Sequence, residues 1–136
     1  AISSKEELEM AKQAIEKVDI RPADPEKQVG LMSGGNQQKV VLGKWLMRDL
    51  KILIVDEPTA GIDVGAKDEI YRILEELAQK GVIVILVSSD LQELVRVSHR
   101  ILVMRKGKIV KELAEGIVTQ ADILEAASGI EEEGAE

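Results

Sequence analysis

The sequence predicts an α/β fold, a mostly parallel sheet with flanking helices and a C-terminal hairpin, on three observations. Two aliphatic runs without alternation, Ile52-Leu53-Ile54-Val55 and Val82-Ile83-Val84-Ile85-Leu86-Val87, look like strands covered on both faces. Between them Ile70, Ile73, Leu74 and Leu77 recur at helical spacing and Gly81 sits where a helix C-cap is wanted, so residues 52–87 form a strand-helix-strand unit with a right-handed crossover. Beyond it, Ile101-Leu102-Val103-Met104, a Lys106-Gly107 turn and Ile109-Val110 spell a hairpin expected to extend the sheet at an edge.

The remaining elements follow in chain order. Ser3 and Ser4 each have a glutamate three residues on, Glu6 and Glu7, ahead of Leu8, Ala11, Ile15 and Val18 on one face, which predicts a capped first helix over about 4–18. Pro22 and Pro25 then interrupt, since proline removes an amide and biases its predecessor toward extended backbone, and a loop runs to Leu31. After Ser33-Gly34-Gly35, the residues Val40, Val41, Leu42, Trp45, Leu46 and Met47 give a wide apolar stripe, expected of a helix buried on most of its circumference and ending near Arg48. A short helix is expected from Asp90 to Ser98, and a last one, capped by Thr119 and Asp122, through Ala127 to a Ser128-Gly129 stop. The glutamate-rich tail from Ile130 to Glu136 is expected to be mobile.

The chain has 136 residues, enough for one domain or a piece of one, and with 45% hydrophobic and 32% charged residues it is of globular composition. Trp45 and Tyr71 are its only aromatics, which leaves the core to aliphatic side chains. A net charge of -7 repels phosphate backbones, and Arg105, Lys106, Lys108 and Lys111 cluster only around the hairpin turn, so no nucleic-acid partner is expected. Without cysteine there is neither a disulfide framework nor a thiolate metal site, which fits a reducing compartment. No apolar stretch approaches the ~20 residues of a membrane span, so membrane association would go through a partner.

Chemistry concentrates at four places. At a helix start the first amides lack intrahelical partners and the backbone dipole is positive; at Ser33-Gly34-Gly35 the glycines would let a phosphate approach the main chain and the Ser33 hydroxyl adds a donor, although Ser33 also suits a simple N-cap. Asp56 ends a strand where α/β sheets place ligands and can hold Mg²⁺, with Glu57 next to it to orient or deprotonate a water; the alternative is a polar turn. Asp63, after Gly61-Ile62, suits a helix N-cap as well as a contact role. Ser89 and Asp90 follow the second strand, where either could cap the next helix, and the lone His99 carries no assigned role.

Taken together, Met32-Ser33-Gly34-Gly35-Asn36-Gln37-Gln38-Lys39-Val40, Ile52-Leu53-Ile54-Val55-Asp56-Glu57-Pro58-Thr59, Gly61-Ile62-Asp63-Val64-Gly65-Ala66-Lys67 and Val87-Ser88-Ser89-Asp90 resemble the signature, Walker B, D-loop and switch segments of ATP-binding cassette (ABC) ATPases. The variants Asn36-Gln37-Gln38-Lys39 and Ser88-Ser89-Asp90, with the segment Gly61 to Lys67, resemble in particular the carboxy-terminal cassette of bacterial monosaccharide importers of the ribose, xylose and galactose type. That resemblance implies a partial P-loop NTPase fold, with residues 1–49 as the end of the helical subdomain and its signature helix. Residues 50–113 then form the Walker B, D-loop and switch core, and 114–136 a C-terminal helix and acidic tail. It implies ATP and Mg²⁺ as cofactors, with Ser33, Gly34, Gly35, Asn36, Gln37 and Asp63 binding nucleotide across a dimer, Asp56 holding metal, and Glu57 and Ser89 in catalytic positions. Ser89 stands where most members have a histidine, and its hydroxyl cannot carry the positive charge of an imidazolium, so the family's own second site is expected to be weak here.

No G-x-x-x-x-G-K-[ST] loop is present, so by this resemblance the Walker A strand and loop lie upstream of residue 1 and the chain alone is expected to be inactive. The implied partners are a second cassette and membrane permease subunits, with a homo-oligomer of the segment possible through exposed strand edges, and the implied place is the cytoplasm, peripheral on the inner face of the membrane. Two other readings are a lobe of a chromosome-maintenance or DNA-repair ATPase and a non-catalytic docking module. The first predicts sustained heptads and a basic surface, and residues 1–20 offer one short helix in an acidic chain.

Overall fold

The computed structural model describes residues 3–114 and 116–129. The chain divides into two compact units, 1–85 and 86–136. In the first, helix α1 spans Ser4–Lys17, a 3-10 turn covers Val29–Leu31, helix α2 spans Gly34–Leu46, strand β1 Ile52–Asp56 and helix α3 Val64–Gln79. Strand β2, Ile83–Val87, pairs with β1 and runs across the boundary between the units.

Of the two serines that could open α1, Ser3 is the cap: its hydroxyl accepts from the Glu6 amide and the Glu6 carboxylate accepts from the Ser3 amide at 2.8 Å. Helix α2 packs between α1 and α3, burying Gly35, Lys39, Leu42, Gly43 and Leu46, positions spaced to lie along one face. It is not buried on most of its circumference as its apolar content implied, because Val41 and Trp45 remain 52% and 42% exposed. Lys39 lies on the packed face because its charge is matched there: the ammonium donates to the Asp19 carbonyl at 2.8 Å and pairs with the Glu69 carboxylate of α3.

The strands depart from expectation in the same sense. Leu53 and Val55 of β1 are buried, as are Ile70, Tyr71, Leu74 and Leu77 of α3, while Ile52 and Ile54 are exposed, and β2 alternates between exposed and half-buried residues. An unalternating run signals strand-forming aliphatics; whether its second face is covered depends on what else packs there, which the run itself does not encode. Gly81, with φ of +87°, takes the left-handed conformation that ends α3 and turns the chain into β2.

The second unit holds α4, Leu91–Val97; the hairpin strands β3, Ile101–Arg105, and β4, Lys108–Leu113; and α5, Gln120–Ser128. Its core is Ile101, Val103, Ile123 and Ala126, with Leu91, Leu94 and Leu113 packed against them. Thr119 and Asp122 form the expected capping box, Gly129 closes α5 at φ of +76°, and Arg100 holds Glu112 through two hydrogen bonds across the hairpin. The hairpin is as predicted but does not extend the first sheet: β3 and β4 form their own two-stranded sheet. Residues 130–136, expected to be a mobile tail, lie outside the described residues.

Candidate functional site

The start of α2 is built by Ser33, which sits in extended backbone as N-cap while Gly34 opens the helix. The Ser33 hydroxyl oxygen accepts from the Asn36 amide at 3.4 Å and from the Asn36 carboxamide at 3.0 Å, and the Ser33 carbonyl accepts from the Gln37 amide at 2.9 Å. By helix geometry the amides of Gly34 and Gly35 have no intrahelical acceptor. Ser33 and Gly34 are exposed, so this end of the helix is open to an external anion.

The two glycines differ in why they lack a side chain. A Cβ on Gly34 would meet Ile62 Cγ2 at 3.2 Å and the Gly61 carbonyl oxygen at an ordinary 3.8 Å, whereas one on Gly35 would lie 2.4 Å from the Ala66 Cβ of α3. Gly35 is buried, and its absent side chain is what lets α2 and α3 approach; phosphate access is not needed to explain it. Gln37 turns its carboxamide back to the Met32 carbonyl at 2.9 Å, and Asn36 directs its carboxamide oxygen to the Arg21 amide at 2.8 Å. Both side chains, expected to reach nucleotide, are thus engaged within their own unit.

The Asp56-Glu57 turn follows β1. Asp56 is exposed, and Glu57 has φ of +46°, a left-handed backbone that non-glycine residues rarely adopt and that collects at functional turns. The turn is closed by the Ala60 amide donating to the Glu57 carbonyl at 3.2 Å, and Thr59 beneath it is 3% exposed. Gln38 of α2 donates to the Pro58 carbonyl at 2.9 Å, so the glycine-rich helix start and the acidic turn belong to one bonded assembly. Gln38 stands in the Asn36-Gln37-Gln38-Lys39 segment without a site role of its own in the sequence reading, and its bond to Pro58 gives it one in joining the two segments.

Asp63 is the N-cap of α3, its carboxylate accepting from the Ala66 amide at 3.0 Å. Ser89 belongs to the second unit and is exposed; it is not the helix cap, since Asp90 takes that role through bonds from the Gln92 and Glu93 amides at 3.0 and 3.2 Å. Ser88 accepts from the Asp90 amide at 3.0 Å. His99 is exposed.

Between α2 and β1 lies a cleft of about 150 Å³ lined by Gln38, Trp45, Asp56, Pro58 and neighbouring aliphatics. Ligand pockets occupy roughly 300–1,000 Å³, so this cleft does not enclose a nucleotide by itself. Among the described residues no group of three or more His, Cys, Asp or Glu side chains is arranged to hold a metal ion. An exposed carboxylate such as Asp56 suits Mg²⁺, which takes one or two protein carboxylates with the rest of its shell from water and phosphate oxygens. Beside the helix start, Arg21 pairs with Asp19 through two 3.1 Å bonds, which hold the Asp19 carboxyl below its ordinary range and raise the guanidinium.

A family model described as "ABC transporter" matches residues 3–60. The chain is 50% identical over 128 residues to the ribose import ATP-binding protein RbsA of Hahella chejuensis, covering 94% of this chain and 26% of that protein. It is 46% identical over 126 residues to the arabinose import ATP-binding protein AraG of Pseudomonas savastanoi pv. phaseolicola, covering 93% and 25%. The chain therefore spans about a quarter of the length of the curated relatives it matches. Among solved structures, the ADP conformation of MJ1267, an ATP-binding cassette of an ABC transporter, superposes with a TM-score of 0.73 at 25% identity, over 95% of this chain and 49% of that one. The dimeric cassette MJ0796 gives a TM-score of 0.71 at 24% identity over 84% and 49%, a likeness of fold.

Proposed function

Because the chain belongs to the ABC transporter ATPase family, we propose that it supplies the signature helix and Walker B turn of an ATPase that drives monosaccharide import, acting with a second cassette that carries the Walker A loop and with membrane permease subunits. The reading is supported above all by the open Ser33-Gly34 start of α2, tied through Gln38 to the turn that bears Asp56 and Glu57. Its similarity to ribose and arabinose import proteins argues for a sugar as cargo and for a place on the cytoplasmic face of the membrane.

In this reading Ser33 and Gly34 meet the terminal phosphate of ATP held by the second cassette, where the helix start offers unpaired amides and a hydroxyl to a polyanion. Gly35 contributes an amide at most, its Cα face being committed to α3. Asp56 holds Mg²⁺, which when bound neutralises charge on the phosphates. Glu57 accepts a proton from, or orients, the attacking water, its strained backbone fixing where the carboxylate leaves the main chain. Asp63 caps α3 and thereby sets the loop through which cassettes meet, and Ser89 occupies the switch position with a neutral hydroxyl.

The functional pair is asymmetric: this chain donates the more effective signature and the weaker Walker B site. ATP turnover of the assembled pair tests it. Ser33→Arg, which fills the phosphate position, is expected to abolish turnover, while Glu57→Gln lowers it several-fold less; equal losses overturn the asymmetric assignment.

A further inference from the structure

We propose that Asn36 is a positioning residue: its carboxamide fixes the Ser33 hydroxyl as an outward hydrogen-bond donor to a phosphate oxygen, and it makes no contact with nucleotide itself. The inference rests on the nucleotide reading of the α2 start given above. The orientation of the carboxamide follows from its neighbours. The Arg21 main-chain amide can only donate, so the atom facing it at 2.8 Å is the Asn36 oxygen, and the amino group is left facing Ser33 Oγ at 3.0 Å. The amino group can likewise only donate. Ser33 Oγ therefore receives two donors, the Asn36 carboxamide and the Asn36 amide at 3.4 Å, which occupy both lone pairs of a hydroxyl.

The serine is left with its own proton to donate, and with both lone pairs taken by Asn36 that O–H is directed away from α2, toward the exposed side. A donor held in that direction before binding suits an anionic oxygen, with a charge-assisted bond and no reorientation cost. Arg21 supplies the other anchor: its guanidinium is paired with Asp19, whose main-chain carbonyl is in turn held by Lys39, so the amide facing Asn36 belongs to a braced loop. The asparagine length serves this geometry, spanning from the Arg21 amide to the Ser33 hydroxyl with one planar group.

A double-mutant cycle on ATP turnover of the assembled pair of cassettes tests the proposal, using Ser33→Ala, Asn36→Ala, both together, and Asn36→Asp, each with its urea midpoint measured. Ser33→Ala is expected to lower kcat/KM about tenfold or more, the range for a lost bond to a charged group. Asn36→Ala is expected to cost about threefold or more in the parent and nothing further in the Ser33→Ala background. Asn36→Asp keeps an acceptor for the Arg21 amide but accepts the Ser33 proton as well, turning the donor inward, and is expected to lose as much as Ser33→Ala with little change in midpoint. If the full Asn36→Ala loss persists without the Ser33 hydroxyl, or if Asn36→Asp matches the parent, Asn36 acts structurally or touches nucleotide directly and the proposal is overturned. If Ser33→Ala leaves turnover unchanged, the nucleotide reading of the helix start falls with it.

Discussion

Gly35→Ala isolates the packing between α2 and α3. The added Cβ would sit 2.4 Å from the Cβ of Ala66, and Ala66 has no further side-chain torsion with which to move away. Carbon atoms rest at about 3.5–4.0 Å, so the two helices must separate by roughly 1.1–1.6 Å at this point or tilt to the same effect. Overpacking of that kind costs about 1–3 kcal/mol, against which the better helix propensity of alanine returns up to about 1 kcal/mol. The net expectation is a loss of about 1–2 kcal/mol. Gly34→Ala is the control, since the nearest atom to its new Cβ is Ile62 Cγ2 at 3.2 Å, the end of a side chain that can rotate, and its effect should stay within about 0.5 kcal/mol.

Trp45, the only tryptophan, lies in the first unit and reports its unfolding by fluorescence in urea. Gly35→Ala should lower the midpoint without changing the slope, and Ala66→Gly in the same chain should recover part of the loss despite its own helix penalty, giving a coupling of at least about 1 kcal/mol. A Gly35→Ala protein as stable as its parent, or costs that add with no coupling to Ala66→Gly, would refute the claim that this glycine exists for the α2–α3 approach.

Two further outcomes follow from the charged groups. Lys39→Met keeps the length of a buried side chain but leaves the Asp19 carbonyl without its donor and Glu69 without its partner, so it should destabilise the first unit by about 2 kcal/mol in the same urea assay, while Lys39→Met combined with Glu69→Gln should cost less than the sum. For pH, Glu6, Asp19, Glu112 and Asp122 have carboxyl groups held below their ordinary range, chiefly by bonds from Ser3, Arg21, Arg100 and Thr119. A depressed carboxyl binds fewer protons in the folded state, so its contribution is present above the ordinary carboxylate range and lost as pH falls below it; midpoints measured from pH 7 downward should hold until about pH 4–5 and then decline. The bridged carboxylates Asp19 and Glu112 are solvent-exposed, so salt should blunt these pairs more than the caps.

Local chemistry made much of this fold legible. The caps at Ser3, Asp63, Asp90 and Thr119 rest on side chains that bond amides three residues or fewer away, and the hairpin on a Lys106-Gly107 turn; both are decided within a few residues. What the sequence could not carry was the other side of each contact. Ile52 and Ile54 are as aliphatic as Leu53 and Val55, yet only the latter pair is buried, because coverage of a strand's second face depends on distant chain. Asn36 and Gln37 are site residues by resemblance to the signature motif; that their carboxamides also bond the Arg21 amide and the Met32 carbonyl, one of them 15 residues away, is not written in the motif. Lys39 was recoverable in principle, since it shares a helical face with Gly35, Leu42 and Leu46.

The glycine pair at the start of α2 thus divides two requirements that look like one in the sequence. A helix end that binds an anion must be open, and a helix end that holds its position must be packed; a single glycine cannot be both. Gly34 is exposed beside Ser33, and Gly35 faces α3, whose own start is capped by Asp63 only three residues before Ala66. The contact that Gly35 permits therefore lies within one turn of that cap. Because Gln38 also ties α2 to the turn after β1, a displacement of the α2 start against α3 must strain the Asp56-Glu57 turn or break the 2.9 Å bond to Pro58. The phosphate-facing and acid-bearing segments are accordingly joined by the Gln38–Pro58 bond, while Gly35 on Ala66 and Lys39 on Glu69 hold α2 against α3, and none of these contacts involves an atom offered to the nucleotide.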